Sequence, residues 1–326
     1  MNHPRYKEWV KGFQEETQHL RLNEDNSCIG TPATYKLQTK LNMIHPTIFP
    51  PLAKGVIPIR KKNEEANSPN LLYVEESSSD ISEQEDKNKI IIGTTMLTIN
   101  LKKFNIFRDP NYFLCPEEFI EEAFAERGAQ EAVEELKVQA KEIESVINST
   151  TDGDYPKIVF LGTGSSSPKN IRNTSGILVF TSPDACLLLD CGEGTYDQIV
   201  RLFGRDKVDD IMLKLRAVYV SHLHADHHLG FIGLIKGRRR AIDNFLEKHR
   251  DLFKDENLTK SEKIDRVNIR PLYLVAPPTI SSYLKTYDSD VEHILEDFNL
   301  ISNGVLKILY YLDKPEYIVS KVFIII

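Results

Sequence analysis

Between residues 221 and 230 the chain reads SHLHADHHLG, which places four of its nine histidines and one aspartate within ten residues. His222 and His224 stand two apart, and Asp226 and His227 follow directly. Imidazole and carboxylate ligate zinc and other borderline metals, and a ligating carboxylate also orients a bound water. Two histidines serving one ion and an Asp–His pair serving a second make half of a dinuclear site. Two ions held close together activate water and stabilise both oxygens of a displacement at phosphorus. The plainer reading is a solvated, histidine-rich turn, or imidazoles satisfied by backbone. A lone histidine would suit that reading, whereas H-x-H-x-D-H at a strand end favours ligands. His228 has no ligand slot in the pattern and is expected to orient a ligand or to pack.

The elements that must position this cluster begin at Lys157. KIVFLGTG (157–164) predicts a short buried strand running into a glycine turn, for which Gly162 and Gly164 supply the freedom. SGILVF (175–180), ACLLLDCG (185–192), LRAVYVSH (215–222) and RPLYLVAP (270–277) predict further strands. Helices are expected near 194–204 and over 229–249, 278–286 and 290–297. Strand and helix therefore alternate, which predicts an α/β layered domain over 156–326. The cluster falls where one strand turns into the helix that follows. KGRRR (236–240) is the densest basic run of this half and suits either phosphate contact or a solvated helix face.

Upstream, residues 1–60 carry apolar residues without a long period, including MIHPTIFPPL at 43–52, and predict irregular, partly packed structure. Residues 61–89 turn charged and serine-rich, a composition that cannot bury enough apolar surface to offset its ordering entropy, so a disordered linker is expected there. In 90–155, IIIGTTMLTINL (90–101) predicts a strand and 115–147 helices, with Pro116, Glu117 and Glu118 at the start and a break at Gly128. At 326 residues the chain has room for roughly two domains. The net charge of −7 argues against a generally basic nucleic-acid coat but permits a local patch. Cys28, Cys115, Cys186 and Cys191 form no C-x-x-C pair, which argues against a disulfide framework and for a reducing intracellular compartment. No apolar run is long enough to span a bilayer, and MNHPRYKEWVKGF lacks the layout of a secretion signal.

Together these motifs resemble one family. SHLHADHH, with FLGTGSSSP and LLLDCGEGT before it, resembles the metallo-β-lactamase fold, an αββα sandwich. FLGTGSSSPKNIRNTSGILV, with its P-x-K-x-R-N-like loop, and RPLYLVAPPTISSYL resemble the long form of tRNase Z, or ribonuclease Z. WVKGFQEETQHLRLNE and KLQTKLNMIHPTIFPPL resemble the end of that form's degenerate amino-terminal half. The resemblance implies a zinc-dependent endonuclease that removes the 3′ trailer from precursor tRNA, in the nucleus, the mitochondrion or both. It assigns His222 and His224 to a first zinc and Asp226 and His227 to a second, with Asp226 also the general base. Glu193 becomes a supporting carboxylate near the site, or else a charge favoured at a helix start. Pro168, Lys169, Arg172 and Asn173 would handle the tRNA 3′ end, although the family's lysine position holds Asn170 and Lys169 comes one residue early.

The same resemblance implies a further histidine, a bridging aspartate and a last histidine beyond the cluster. His249 and His293 read as exposed helix and fill none of these places. The chain is accordingly expected to be an internal piece of the enzyme: a sandwich truncated on its carboxyl side, behind the remnant of the amino-terminal half. Alone, it is expected to bind zinc poorly and to leave precursor tRNA uncut. Two other readings are a non-catalytic remnant or interaction protein, and a hydrolase of the same fold acting on another ester.

Overall fold

The computed structural model describes residues 32–53, 113–150, 155–169, 172–253 and 258–304, with short pieces at 8–21, at 62 and at 90–108. Apart from Lys62, the linker expected at 61–89 lies outside the described residues. The first part holds β1 (His19–Arg21), α1 (Pro32–Ile44), β2 (Ile90–Ile92), β3 (Leu97–Asn100) and β4 (Asn105–Arg108). Residues 90–101, expected as one strand, supply two: β2 pairs in parallel with β1, and β3 pairs antiparallel with β4. α2 (Pro116–Phe124) opens on Pro116 with Glu117 and Glu118 in its first turn, as read from the sequence. Gly128, at φ 81°, separates it from α3 (Ala129–Thr150). Tyr35 of α1 and Leu114 are buried together, with Leu52 and Phe119 against them. Segments from either side of the 61–89 stretch therefore share one small core.

The second part is a six-stranded sheet in the order β10-β9-β8-β7-β6-β5. Its strands are β5 (Lys157–Gly162), β6 (Gly176–Ser182), β7 (Ala185–Leu189), β8 (Leu215–Tyr219), β9 (Tyr273–Ala276) and β10 (Asn299–Ser302). β5, β6 and β7 form antiparallel hairpins, whereas β7 to β10 run parallel. Parallel neighbours need crossover connections. α4 (Thr195–Phe203) and α5 (Arg205–Lys214) join β7 to β8; α6 (Ala225–His228), α7 (Phe231–Lys248) and α8 (Lys260–Arg266) join β8 to β9; α9 (Ile280–Asp290) joins β9 to β10.

This is the mixed α/β layering expected from the alternation, and the core sits between one sheet face and the helices. Leu178, Leu188, Val218 and Leu274 are fully buried with Ile199 of α4, Met212 of α5 and Phe231 and Ile235 of α7. Three local expectations need correction. β5 is an edge strand rather than a buried one, with Ile158 56% and Phe160 66% exposed. α5 follows α4 after a turn at Gly204 (φ 81°), a break that apolar periodicity alone did not mark. The two helices expected over 278–297 are one helix, α9, and a 3₁₀ turn at Leu295–Asp297. Among the described residues no helix is long and apolar enough to cross a membrane.

Candidate metal centre

β8 ends at Tyr219, and the chain crosses the end of the sheet before α6 and α7 begin. Close backbone packing brings the neighbouring loop against this crossing. Cys191 N–H donates to the His227 carbonyl at 2.8 Å, and Gly230 N–H to the Cys191 carbonyl at 2.9 Å. A Cβ on Gly230 would stand 2.0 Å from the Gly192 oxygen, and one on Gly192 2.2 Å from the Asp226 oxygen, so only glycine fits at either position. α7 is held at its far side by its own basic run. Arg239 bonds Asp297, Glu292 and the His293 carbonyl, Arg240 donates to the Tyr196 hydroxyl at 2.8 Å, and Arg238 is buried. The arginines of KGRRR thus make internal contacts, while Lys236 is exposed and pairs with Glu292.

The predicted ligands gather at this crossing in two pairs. His222 Nε2 lies 3.1 Å from His224 Nδ1, and His227 Nε2 lies 3.5 Å from Asp226 Oδ2. The His222 and His227 rings are 4.1 Å apart, so the pairs adjoin. Asp226 is buried, whereas His222 and His224 are exposed and His227 is half-buried. Two donors on one tetrahedral zinc, each about 2.0–2.1 Å from the ion, stand about 3.3 Å apart, so both pair separations suit shared ligation. The donor chemistry and spacing therefore fit zinc. Among the described residues no three His, Cys, Asp or Glu groups converge into a complete site.

What sets the rings is a residue that pattern reading passed over. Asp190, just past β7, accepts the Ser221 N–H on Oδ1 at 2.9 Å. Its Oδ2 accepts the Ser221 hydroxyl at 3.1 Å and lies 2.7 Å from His227 Nδ1. A carboxylate only accepts, so His227 carries its proton on Nδ1 and keeps a bare Nε2 on the side of Asp226. Ser221 Oγ, having given its hydrogen to Asp190, accepts from His222 Nδ1 at 3.0 Å, which leaves His222 Nε2 bare as well. His228 Nδ1 donates to the His224 carbonyl at 2.9 Å and is turned away from the ligand pairs. The only available signal for Asp190 was its position at the end of LLLD, one residue past a buried strand.

The other predicted site residues divide. Asp226 Oδ2 accepts the N–H of Ser166 at 2.7 Å; this bond, ahead of the nearby imidazoles, holds its carboxyl below the ordinary range. Pro168, Lys169 and Arg172 are exposed on the loop that carries Ser166, with Lys169 N–H bonded to the Arg172 carbonyl at 2.9 Å. Asn173 is buried, and its amide donates to the Glu193 carbonyl at 3.0 Å. Glu193 contributes that main-chain oxygen, which also accepts from Thr174, while the residue itself is exposed before α4. His249 ends α7 with Nδ1 on the Phe245 carbonyl, and His293 pairs with Asp288, so both stand apart from the cluster as expected.

Comparison with known proteins finds named relatives along most of the chain. The chain is 34% identical over 312 residues to zinc phosphodiesterase ELAC protein 2 of Macaca fascicularis, a match covering 95% of this chain and 32% of that protein. It is 35% identical over 312 residues to the mitochondrial ribonuclease Z of Drosophila melanogaster, covering 92% of this chain and 36% of the relative. These relatives carry the names zinc phosphodiesterase and ribonuclease Z. The mitochondrial tRNase Z TRZ3 of Arabidopsis thaliana is 29% identical over 270 residues, 73% of this chain and 28% of its own. The chain thus spans about a third of the length of these ribonuclease Z relatives. The family model described as Anti-Pycsar protein Apyc1 matches residues 156–257, the stretch holding the histidine cluster. Among solved structures, the long form RNase Z from yeast matches 83% of this chain and 36% of its own, at 20% identity and a TM-score of 0.45.

Proposed function

We propose that this chain carries the first half of the metal site of a zinc-dependent endoribonuclease that removes the 3′ trailer from precursor tRNA. The observation that carries the reading is the pairing of His222 with His224 and of Asp226 with His227, at spacings zinc can share, in a chain related to a ribonuclease Z over 92% of its length. His222 and His224 hold one ion and Asp226 and His227 the second, within a sandwich of two such α/β layers. When bound, the two ions supply an acidified water and charge stabilisation at the scissile phosphate. Asp226 takes the proton of the attacking water while the Ser166 N–H steadies one of its oxygens. Lys169 and Arg172, exposed on their loop, contact phosphates of the tRNA 3′ end, with Pro168 shaping the turn. Asn173 and Glu193 support this loop from beneath through their mutual hydrogen bond. The mitochondrial names of two relatives point to that compartment, with the nucleus a second destination.

The test is trailer release from a 3′-extended precursor tRNA by the whole protein that its gene encodes, with zinc, against Asp226→Ala. Loss of a general base lowers the rate by about 10²–10⁴-fold. Equal release by the variant removes Asp226 from the mechanism, and no release by the unaltered protein removes the function.

A further inference from the structure

The loop bearing Pro168, Lys169 and Arg172 is tied to Asp226 by its own backbone. Ser166 has φ 74°, in the left-handed region that side chains other than glycine rarely adopt. The turn around it is closed by Ser167 N–H on the Ser165 carbonyl at 2.9 Å, and it aims the Ser166 N–H at Asp226 Oδ2, 2.7 Å away and 60 residues along the chain. That same oxygen faces His227 Nε2. The base of the loop is closed by backbone contacts. Gly164 N–H donates to the Asn173 carbonyl at 2.7 Å, and a Cβ on Gly162 would stand 1.9 Å from the Thr174 oxygen. Asn173 is fixed in turn to Glu193. With its base clamped, the loop has the Ser166 turn as its connection to the cluster.

We infer that Ser166 is a positioning residue: its left-handed conformation delivers an N–H that sets the Asp226 carboxylate for ligation. Because Lys169 and Arg172 lie a few residues further on, an anionic strand held by them and zinc held by Asp226 and His227 favour the same loop position. The two ligands therefore strengthen each other's binding by one common factor. This inference rests on the metal reading of the cluster proposed above.

The measurement is zinc affinity of the whole protein that the gene encodes, by competition with a chromophoric chelator, with and without a 2′-O-methyl oligoribonucleotide that resists cleavage. Ser166→Gly keeps the N–H and adopts the same φ freely, so its affinity should match or exceed the unaltered protein's. Ser166→Pro has no N–H and cannot reach a positive φ; its affinity for the Asp226–His227 ion should fall about 10-fold or more, the range for lost outer contacts to a ligand. Ser166→Val retains the N–H but resists the conformation, falls between them, and serves as the test if Ser166→Pro fails to fold. In the unaltered protein and Ser166→Gly the oligonucleotide should tighten zinc binding, and in Ser166→Pro it should not. Equal affinity in all variants, or equal loss in Gly and Pro, overturns the positioning role alone. Absence of zinc binding by the unaltered whole protein overturns the metal reading and this inference with it.

Discussion

Replacing Asp190 by asparagine isolates how much of the centre depends on the protonation of one ring. Asp190 itself has φ 58°, a conformation asparagine adopts as readily as aspartate, so the backbone need not move. The side chains of Asp190 and His227 are 14% and 21% exposed, which leaves little water to replace a lost partner. The carboxylate accepts three bonds of 3.1 Å or less: the Ser221 N–H, the Ser221 hydroxyl and His227 Nδ1. An amide offers one oxygen and one NH₂ in place of two acceptors. If the oxygen keeps the Ser221 N–H, the NH₂ meets His227 Nδ1, and the ring must move its proton to Nε2. A protonated Nε2 cannot ligate. If the amide is reversed, the NH₂ meets the Ser221 N–H, and that bond is lost instead. Either way one charge-assisted hydrogen bond goes, about 1.5–3 kcal/mol. A lost orienting partner costs about 10–100-fold in metal affinity, which is about 1.4–2.7 kcal/mol and of the same size. Two-bond ¹H–¹⁵N NMR of the His227 ring reads the tautomer without metal, and chelator competition reads the affinity. A variant whose His227 keeps its proton on Nδ1 and whose zinc affinity is unchanged would refute the reasoning.

Two further predictions concern the elements around the centre. Arg238 is 5% exposed, has one bond (Nη2 to the Arg270 carbonyl) and an Nε without a partner; burial, with Arg216 nearby, pushes its pKa down to about 10. Arg238→Met should therefore leave stability within about 1 kcal/mol or raise it, whereas Arg239→Met, which strips Asp297 of its partner and leaves Glu292 with Lys236 alone, should cost about 1–3 kcal/mol in urea denaturation. A larger loss in Arg238→Met than in Arg239→Met would contradict this ordering. Asp288 accepts the N–H groups of Leu295 and Ile294, which hold its carboxyl below the ordinary aspartate value. Its stabilisation is therefore complete above that ordinary value and is lost as pH falls through the depressed one. Melting curves of the chain and of Asp288→Asn should differ at pH 7 and converge on acidification, and a constant gap would count against the linkage.

The amino-acid sequence alone determined the histidine and aspartate donors, their H-x-H-x-D-H spacing, the strand that ends before them and the helix that follows, because these are short-range properties. Alternation of strand and helix from Lys157 gave the α/β layer for the same reason. Tertiary structure decided what holds the ligands. The register that sets Leu189 against Tyr219 brings Asp190 beside Ser221, 31 residues away, and His227, 37 away. Ser166 reaches Asp226 across 60 residues, through a turn whose positive φ falls on a serine and so leaves no glycine to mark it. KGRRR looked equally suited to phosphate and to solvent, until Glu292 and Asp297 folded against it. Local pattern fixes which groups an element presents; which of them meet depends on register and crossover packing, where partners are chosen by distance in space.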